Sequence, residues 1–485
     1  MNVCFASSEC APYAKTGGLA DVAGSLPKAL QEEGCHVKVF MPLYGSINTI
    51  DHNLTFCEDL GYIPVEFAGK VVGFYTWYGT LPGSDAEIYF VDCPTYYHRP
   101  SLYNGANRDE DERFIFLQHA VFRIMQHYGW SPDVIHCNDW HTALMPAMVK
   151  EVYGWDRLFQ KTGSLLSIHN IGYQGLFSGM SVGKAGLDPG TFYPGSALEK
   201  DGAFSFLKTG IAYADIVSTV SRTYGYELMT QEFGAGLDGL LRARASDFEG
   251  VVNGIDVDVW NPETDPYISK TYSADALEGK EANKRALLAE VGLPYDPSVP
   301  VVGIVSRFTS QKGFELLFPI MDGLLQSGPV QFVVLGSGER RIEDFFRRAA
   351  GAYPHLVSAN IRYDEGLAHR ITAGSDYFLM PSNYEPCGMN QMFSLRYGTV
   401  PVVRKTGGLA DTVRDFHEFD GAGNGISFVD FSPHALFVTL RRALTLYRQP
   451  SVWDEMRVRG MKEDFSWTRS AQRYIDLYRR AQAKR

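Results

Sequence analysis

The sequence has 485 residues, of which 45% are hydrophobic and 21% charged, and its formal net charge is −11. These values indicate a globular protein of two or three domains, and the negative charge argues against general affinity for nucleic acid. No run of 18 apolar residues is present, so no membrane-spanning helix is predicted. The start of the chain lacks the basic and apolar segments of a signal peptide, and the seven cysteines form no Cys-x-x-Cys pair. We therefore expect a cytoplasmic protein with reduced thiols.

The first half of the chain alternates short apolar runs with helix-like segments. Strands are predicted at 3–6, 36–41, 87–91, 134–137, 165–168 and 215–220, with helices at 22–31, at 110–127 and up to residue 149. Ser221 is placed to cap the helix that follows the last of these strands. Residues 51–80 are predicted to be inserted antiparallel strands, and 172–198 a long loop. The alternation predicts a doubly wound, mostly parallel sheet.

A second series of strands and helices follows a passage at 251–256. A helix is predicted at 277–291, strands at 301–305, 332–335, 360–363, 377–380 and 400–403, and a mainly helical end at 433–485. In such sheets ligands bind beyond the carboxyl ends of the strands, where the polar and glycine-rich residues of both halves fall. Two sheets that present these edges to one another would form a cleft.

One heptapeptide occurs twice, as Lys15–Asp21 and again as Lys405–Asp411. Each copy follows an apolar run and precedes a helix-like stretch, at 22–31 and at 411–416. A strand, a glycine turn and a helix direct backbone N–H groups and the positive helix end toward an anion. Paired glycines also allow a helix to pack close to a sheet, so both interpretations stay open for either copy alone. The repetition indicates two comparable halves that face one site.

The stretch Ser306–Gly313 follows a predicted strand and is expected to open a helix capped by Thr309 or Ser310. Arg307 can bind phosphate with two hydrogen bonds, and Lys312 adds a point charge. Two cations at a helix N-terminus predict a diphosphate site. The alternative is a pair of surface cations on a loop.

The stretch Pro381–Gly388 also leaves a predicted strand and enters a predicted helix. Its carboxylate, Glu385, can bond sugar hydroxyls or stabilise positive charge at an anomeric carbon. A helix-capping acid that complements the helix dipole is the competing interpretation.

Asp139 and His169 end neighbouring predicted strands, and together they indicate a polar site at one sheet edge, although each alone is more often structural. The nearby His136, Cys137 and His141 invite a metal site with Asp139, but strand alternation would turn two of the four into the sheet.

Two further patterns are set aside. Gly234–Gly239 matches the dinucleotide fingerprint in letters but follows a helix-like run where a strand is required. Asp256 and Asp258 have the Asp-x-Asp spacing of metal-dependent sugar transferases, but they lie in the passage between the halves and not at a clear strand end.

Taken together, the motifs resemble those of bacterial glycogen synthases and plant starch synthases, in collinear order over nearly the whole chain. The resemblance rests on the following stretches: Lys15–Leu19, Asn138–His141, His169–Asn170, Asn253–Asp256, Trp260–Pro262, Ser306–Arg307, Gln311–Gly313, Glu385–Gly388 and Thr406–Leu409. It implies the α/β GT-B fold, with two Rossmann-like doubly wound domains that face a deep interdomain cleft. The domains would be 1–252 and 253–464, with the final helix, 465–485, packed back on the first.

The resemblance also implies an activity, the retaining transfer of glucose from ADP-glucose to the non-reducing end of an α-1,4-glucan such as glycogen. ADP-glucose would be a substrate, and neither a cofactor nor a metal is expected. Arg307 and Lys312 would hold the diphosphate, Lys15 and Gly18 would close on it, and Tyr363 would stack on adenine. Glu385 would contact the glucose, and His169 and Asp139 would line its pocket. Further substrate contacts are assigned to Asp21, Asn253, Gly336, Cys387, Gly388, Met389 and Asn390.

Met389 departs from the leucine usual in the family, and residues 50–100 match it weakly. The main alternative is another GT-B glucosyltransferase that uses UDP-glucose or a small acceptor. A glucan-binding protein with an inactive site is a different class, which the intact Lys15, Arg307, Lys312 and Glu385 argue against. An NAD enzyme would rest only on Gly234–Gly239.

Overall fold

A computed structural model of the protein describes residues 1–103 and 109–485, and the chain divides into two compact units. Unit 1 comprises Met1–Gly254 and Trp467–Arg485, and unit 2 comprises Ile255–Ser466. The division falls close to the boundaries expected from the sequence at 252 and 465.

Unit 1 is built on a large, mostly parallel sheet with helices on its faces. The strands of unit 1 are β1 Asn2–Ala6, β2 His36–Pro42, β3 Thr55–Phe56, β4 Ile63–Phe67, β5 Lys70–Thr80, β6 Glu87–Asp92, β7 Val134–Asn138, β8 Gly163–Ile168, β9 Leu176–Phe177, β10 Glu199–Lys200, β11 Ala203–Ser205, β12 Ile216–Thr219 and β13 Phe248–Gly250, of which β9, β10 and β11 form a small separate sheet. Its helices before the passage to unit 2 are α1 Gly18–Glu32, α2 Pro94–Tyr97, α3 Glu110–His127, α4 Met145–Glu151, α5 Ser181–Lys184, α6 Phe206–Tyr213, α7 Arg222–Leu228 and α8 Asp238–Ala243.

The strand order of the large sheet is β13-β12-β8-β7-β1-β2-β6-β5-β3, and β4 pairs with β5. The central strands β1, β7 and β8 are buried on both faces because helices cover the sheet on either side, which explains their continuous apolar runs. β5 pairs antiparallel with β6, β3 and β4. The predicted antiparallel insertion is therefore confirmed. In β4, buried and exposed residues alternate, as expected for a strand with one face exposed to solvent.

Unit 2 is a second parallel sheet, of order β16-β15-β14-β17-β18-β19. Its strands are β14 Val301–Phe308, β15 Gln331–Gly338, β16 Val357–Asn360, β17 Tyr377–Met380, β18 Val400–Arg404 and β19 Ile426–Phe428. Its helices are α9 Glu278–Glu290, α10 Met321–Gln326, α11 Arg340–Ala352, α12 Glu365–Gly374, α13 Asn390–Arg396, α14 Gly407–Thr412, α15 Pro433–Leu446 and α16 Pro450–Met461.

The central strands of unit 2 pack against helices on both faces. Val302 and Ile304 of β14 belong to one apolar cluster with residues of α11 and α15, whereas Val301 belongs to another with residues of α9 and α12. This split follows from the two-residue period of a strand, and it confirms a doubly wound sheet.

The final helix, α17 Trp467–Gln482, belongs to unit 1. Its Tyr478 hydroxyl lies 2.7 Å from His136 Nδ1 of β7, and both side chains are fully buried. Ser470 Oγ donates to Val252 O at 2.6 Å. These contacts attach the end of the chain to the sheet with which the chain began.

The position or type of some predicted elements was wrong. The strand expected at 360–363 is Val357–Asn360. The helix expected in the second heptapeptide region, at 411–416, is α14, Gly407–Thr412. The helix expected after Ser306–Gly313 is a pair of 3-10 turns, Ser310–Lys312 and Phe314–Leu317, because Gly313 between them has a φ of 70°. This left-handed conformation interrupts a right-handed helix.

Within the described ranges, no helix is both long and apolar enough to cross a membrane. The cysteines are all buried free thiols.

Candidate active site

Two motifs that the sequence placed far apart lie against one another in unit 2. Gln311, in the first 3-10 turn, accepts a hydrogen bond from Asn383 N at 2.8 Å through its backbone carbonyl. Its side chain donates to Tyr384 O at 3.4 Å. A Cβ at Gly313 would lie 2.2 Å from Pro381 O, so only glycine permits this approach. The cationic stretch and the Glu385 stretch thus form one surface.

The centre of this surface is an ion pair between Lys312 and Glu385. Lys312 Nζ lies 2.6 Å from Glu385 Oε2, which also accepts a hydrogen bond from Ser382 Oγ at 2.9 Å. Glu385 is only 4% exposed, and a carboxylate so buried needs compensation of this kind. The sequence predicted each residue separately, but it did not predict that they would touch or that Ser382 would join them.

Arg307 is exposed near the end of β14, where it lies opposite Ser337 of β15. The predicted caps at Thr309 and Ser310 are wrong. Thr309 makes no side-chain cap, and Ser310 N donates to Glu339 Oε1 at 2.8 Å. The carboxylate of Glu339, just after β15, therefore accepts the hydrogen bond from the N–H group of this turn, where the sequence predicted a hydroxyl cap.

The residues after Glu385 lead directly into α13. Gly388 has a φ of 68°, which favours glycine, and Met389 stands at the position before the helix. Asn390 Nδ2 donates to Val305 O of β14 at 2.8 Å, and Cys387 is buried. This segment is consequently anchored to the same strand that carries Arg307.

Two further predicted contacts have different surroundings. Tyr363 is 80% exposed on the segment after β16. At Gly336 of β15, a Cβ would lie 2.0 Å from Ser306 O of β14. Close packing of two strands is therefore enough to explain the glycine at Gly336.

The second heptapeptide uses its glycines for packing. A Cβ on Gly407 would lie 1.8 Å from Glu385 O, and one on Gly408 would lie 2.1 Å from Cys387 O. Gly408 N donates to Glu385 O at 3.1 Å. Lys405 forms an exposed ion pair with Glu418 at 2.6 Å. The glycines of this copy therefore pack directly against the backbone of Glu385 and Cys387.

The first heptapeptide has the same letters but a different environment. Gly17 is extended, with a φ of −159°, and a Cβ there would meet nothing within 4 Å. Lys15 Nζ lies 2.6 Å from Asp21 Oδ1, and both side chains are partly exposed. Because packing does not require glycine at Gly17, the open space beside it is available for a ligand to approach the backbone.

This contrast predicts a large loss of stability for one of two matched substitutions and almost none for the other. Gly407→Ala places a methyl group against Glu385 O in a conformation with a φ of 46°, and we expect a loss of more than about 3 kcal/mol. Gly17→Ala should change the free energy of unfolding by less than about 0.5 kcal/mol. Denaturant unfolding of both variants measures this difference. Equal losses would show that the two glycines play the same part.

Asp139 and His169 do come together at the carboxyl ends of β7 and β8. Asp139 Oδ1 accepts hydrogen bonds from His169 N at 2.7 Å and from Asn170 N at 3.3 Å. His169 Nε2 lies 2.9 Å from Asn138 Oδ1. Asp139 has a φ of 54°, which is rare outside glycine, and such strained positions concentrate at functional sites.

Burial shifts the pKa of both side chains. It raises the pKa of Asp139 to about 7, against the lowering effect of the two backbone N–H groups, and the negative charge of Glu9 raises it further. Burial lowers the pKa of His169 to about 3, so this imidazole is neutral at physiological pH. The pair therefore offers a neutral hydrogen-bonding ring beside a carboxyl group that titrates near neutrality.

The raised pKa of Asp139 predicts a pH-dependent stability. The folded state binds the proton more tightly than the unfolded state, whose pKa is near 3.8, so ionisation destabilises the fold increasingly between about pH 4 and pH 7. Asp139→Asn removes this penalty, and asparagine also tolerates a positive φ. Because the pKa differs by about three units, each equivalent to about 1.4 kcal/mol, we expect stabilisation by about 4 kcal/mol at pH 8 and a smaller gain, about 2 kcal/mol, at pH 5. Thermal melts at both values test this, and a larger gain at pH 5 would contradict it.

The remaining sequence patterns acquire structural explanations. His136 is enclosed in unit 1, with Tyr478 Oη and Ser167 Oγ each 2.7 Å from its ring nitrogens, so it is not placed with Asp139 as a metal ligand. Asp256 Oδ1 accepts hydrogen bonds from the N–H groups of its own turn. Gly234–Gly236 lies in a turn after α7 and not after a strand. Asn253 is buried, and its Oδ1 has no hydrogen-bond partner among the described residues.

The sequence analysis missed Glu9, which holds the first heptapeptide. Its carboxylate accepts hydrogen bonds from Thr16 N, Thr16 Oγ1, Gly17 N and Tyr103 Oη. One signal was available, because residues 7–14 separate β1 from the first heptapeptide, whereas the second heptapeptide follows β18 directly. Residues 7–14, which have no counterpart before the second heptapeptide, are where Glu9 lies.

Two Rossmann-like units, with the last helix belonging to the first, define the GT-B class of glycosyltransferases. A family model described as a starch synthase catalytic domain matches residues 2–243, and one for glycosyl transferases group 1 matches residues 293–457. Glycogen synthase of Syntrophotalea carbinolica is 45% identical over 485 residues, with 99% of each chain covered. Glycogen synthase of Thermotoga maritima is 43% identical, with 100% of this chain and 99% of the relative covered.

Among solved structures, the catalytic domain of starch synthase IV from Arabidopsis thaliana, bound to ADP and acarbose, is similar with a TM-score of 0.92. It is 34% identical, and 99% of each chain is covered. The chain therefore belongs to the glycogen and starch synthase family of glycosyltransferases. The family and the GT-B fold expected from the motifs are confirmed.

Proposed function

We propose that the protein transfers glucose from ADP-glucose to the non-reducing end of an α-1,4-glucan, with retention of configuration, and releases ADP. The bond that breaks joins the anomeric carbon to the β-phosphate oxygen, and the new bond joins that carbon to the acceptor O4. The electron pair of the broken bond leaves with the β-phosphate oxygen, and the proton lost by the acceptor hydroxyl passes to that oxygen or to water.

The observation that carries the proposal is the contact between Lys312 and Glu385. In a nucleotide sugar the diphosphate is bonded directly to the anomeric carbon, so the groups that act on these two parts must be close neighbours. Lys312 Nζ and Glu385 Oε2 are 2.6 Å apart, and Arg307 is exposed five residues before Lys312 in the chain. The cations would stabilise the leaving diphosphate, while the carboxylate would stabilise positive charge developing on the sugar.

The other site residues are assigned by position in the family pattern. Lys15, Gly18 and Asp21 are proposed to contact the donor from the first heptapeptide, and the open face of Gly17 supports a close approach there. Tyr363, with its exposed ring, is proposed to stack on adenine. Backbone groups of Cys387, Gly388, Met389 and Asn390 are proposed to bind phosphate or sugar, and Asn253 and Gly336 to contribute smaller contacts.

Asp139 and His169 are proposed to bind the hydroxyls of the glucose. A neutral imidazole both donates and accepts a hydrogen bond, which suits a hydroxyl better than a cation does. The low pKa of His169 supports this assignment.

Incubation of the purified protein with ADP-glucose and glycogen, followed by measurement of released ADP, tests the proposal. Parallel reactions with UDP-glucose, and with glucose in place of glycogen, address the alternative donor and the small acceptor. ADP release that depends on glycogen supports the proposal. A clear preference for UDP-glucose, or for free glucose as acceptor, would replace it with the alternative.

A further inference from the structure

We infer that Glu9 is a positioning residue, which sets the conformation of the first heptapeptide so that Lys15 and the open face of Gly17 meet the donor. The inference rests on the proposed function for the identity of that donor. The hold of Glu9 on the loop is a property of the chain itself and can be measured without catalysis.

Each of the two carboxylate oxygens of Glu9 accepts two hydrogen bonds. Oε2 accepts from Thr16 N at 2.5 Å and from Gly17 N at 3.3 Å. Oε1 accepts from Thr16 Oγ1 and from Tyr103 Oη, each at 2.6 Å. Glu9 is 3% exposed, although Thr16 itself lies at the surface. One buried side chain thus determines where two successive backbone N–H groups of an exposed loop point.

These bonds correct an expectation about the heptapeptide. The strand, glycine turn and helix pattern predicted that its backbone N–H groups would bind an anion. In the first copy an anion of the chain itself, the Glu9 carboxylate, already takes the N–H groups of Thr16 and Gly17. The Lys15 side chain, which pairs with Asp21, and the unobstructed side of Gly17 take no part in these bonds to Glu9. By binding these two N–H groups, Glu9 therefore determines which side of the loop backbone a ligand can approach.

Glu9 also joins this loop to a second segment of unit 1. The Tyr103 hydroxyl bonds Glu9, lies 2.8 Å from Ser8 Oγ, and belongs to a ring stacked on His141 with centroids 4.8 Å apart. His141 follows Asp139 in the turn after β7. The loop, Tyr103 and the Asp139 turn are consequently held in one connected arrangement.

Hydrogen bonding, and not charge, accounts for this arrangement. Among the described residues no cation pairs with Glu9, and its four partners are two N–H and two O–H groups. A glutamine can reproduce the pattern, since its oxygen can accept from the two N–H groups while its amide donates to hydroxyl oxygens that rotate to accept. An alanine removes the acceptor of all four groups, and of these the Tyr103 hydroxyl still has Ser8 Oγ within hydrogen-bond distance.

The experiment compares Glu9→Ala, Glu9→Gln and a matched control, Asp215→Ala. Asp215 is a buried carboxylate of the same unit that accepts from Ser164 N and Oγ, at 2.9 and 2.7 Å, before β12. Its removal should lower the melting temperature without reaching the loop. Two readouts are measured for each variant. They are the hydrogen exchange of the peptide that contains Thr16 and Gly17, and the KM for ADP-glucose.

We expect Glu9→Ala to speed exchange at Thr16 and Gly17 at least tenfold and to raise the KM for ADP-glucose about tenfold, on the scale of one lost hydrogen bond. Glu9→Gln should stay within about threefold of the wild type in both readouts, and Asp215→Ala should leave both unchanged. Unaltered exchange in Glu9→Ala, or glutamine as damaging as alanine, would overturn the inference. If the wild type transfers no glucose, the proposed function fails, and the exchange data still decide whether Glu9 holds the loop.

Discussion

Glu385→Gln should lower turnover by about two orders of magnitude or more, which is the scale of losing one electrostatic stabiliser in an enclosed site. The substitution keeps the size of the side chain and its hydrogen bond from Ser382, but it removes the negative charge beside Lys312. Positive charge at the anomeric carbon would then develop without its partner. The effect should fall mainly on kcat, since the charge exists only in the transition state.

Glu418→Gln serves as the matched control for this variant. Glu418 pairs with Lys405 at the same 2.6 Å as Glu385 pairs with Lys312, but it is exposed, so its loss should cost little. Steady-state kinetics with ADP-glucose and glycogen, together with thermal melts, compare the two. A folded Glu385→Gln enzyme with turnover near that of the wild type would refute the assignment of Glu385 to the reacting sugar.

Lys15→Ala should weaken apparent ADP-glucose affinity or turnover by roughly tenfold to a hundredfold, because a charge-assisted hydrogen bond to phosphate contributes about 1.5–3 kcal/mol. Lys405→Ala should cost less than about threefold. Both lysines pair with a carboxylate, but only the first copy of the heptapeptide leaves its glycine open to a ligand. The second copy uses its glycines for packing against the Glu385 segment.

Kinetics on the two lysine variants, with folding checked by thermal melts, decide which copy binds the donor. The pair is well matched, since the heptapeptide around each lysine is identical and each lysine has a carboxylate partner at 2.6 Å. Equal losses in the two variants, or a larger loss for Lys405→Ala, would mean that the copies are assigned the wrong way round.

Much of the fold was predictable because it depends on local patterns. The strand at Tyr377–Met380 and the helix at Glu110–His127 have the bounds expected from apolar runs and helical periodicity. Ser221 caps α7 as predicted, by accepting a hydrogen bond from Tyr224 N. One error fell where a contact from outside the segment decided the outcome. The caps expected at Thr309 and Ser310 failed because Glu339, distant in the chain, supplies the acceptor.

The two heptapeptides separate most clearly what the sequence by itself determined from what only the tertiary structure decided. The sequence determined that each copy joins a strand to a helix, since this needs only an apolar run, two glycines and a helical pattern. The tertiary structure decided that α1 begins at Gly18 and α14 at Gly407, one residue apart in the shared heptapeptide. Gly17 is extended where Gly407 has a φ of 46°.

The physical reason is that a glycine has no strong backbone preference, so its surroundings choose its conformation. In one copy the Glu9 carboxylate draws in the N–H groups of Thr16 and Gly17, and in the other the backbone of Glu385 and Cys387 presses against the glycines. The contact between Lys312 and Glu385 has the same origin. The sequence determined which chemical groups this protein carries, and long-range packing decided which of them meet.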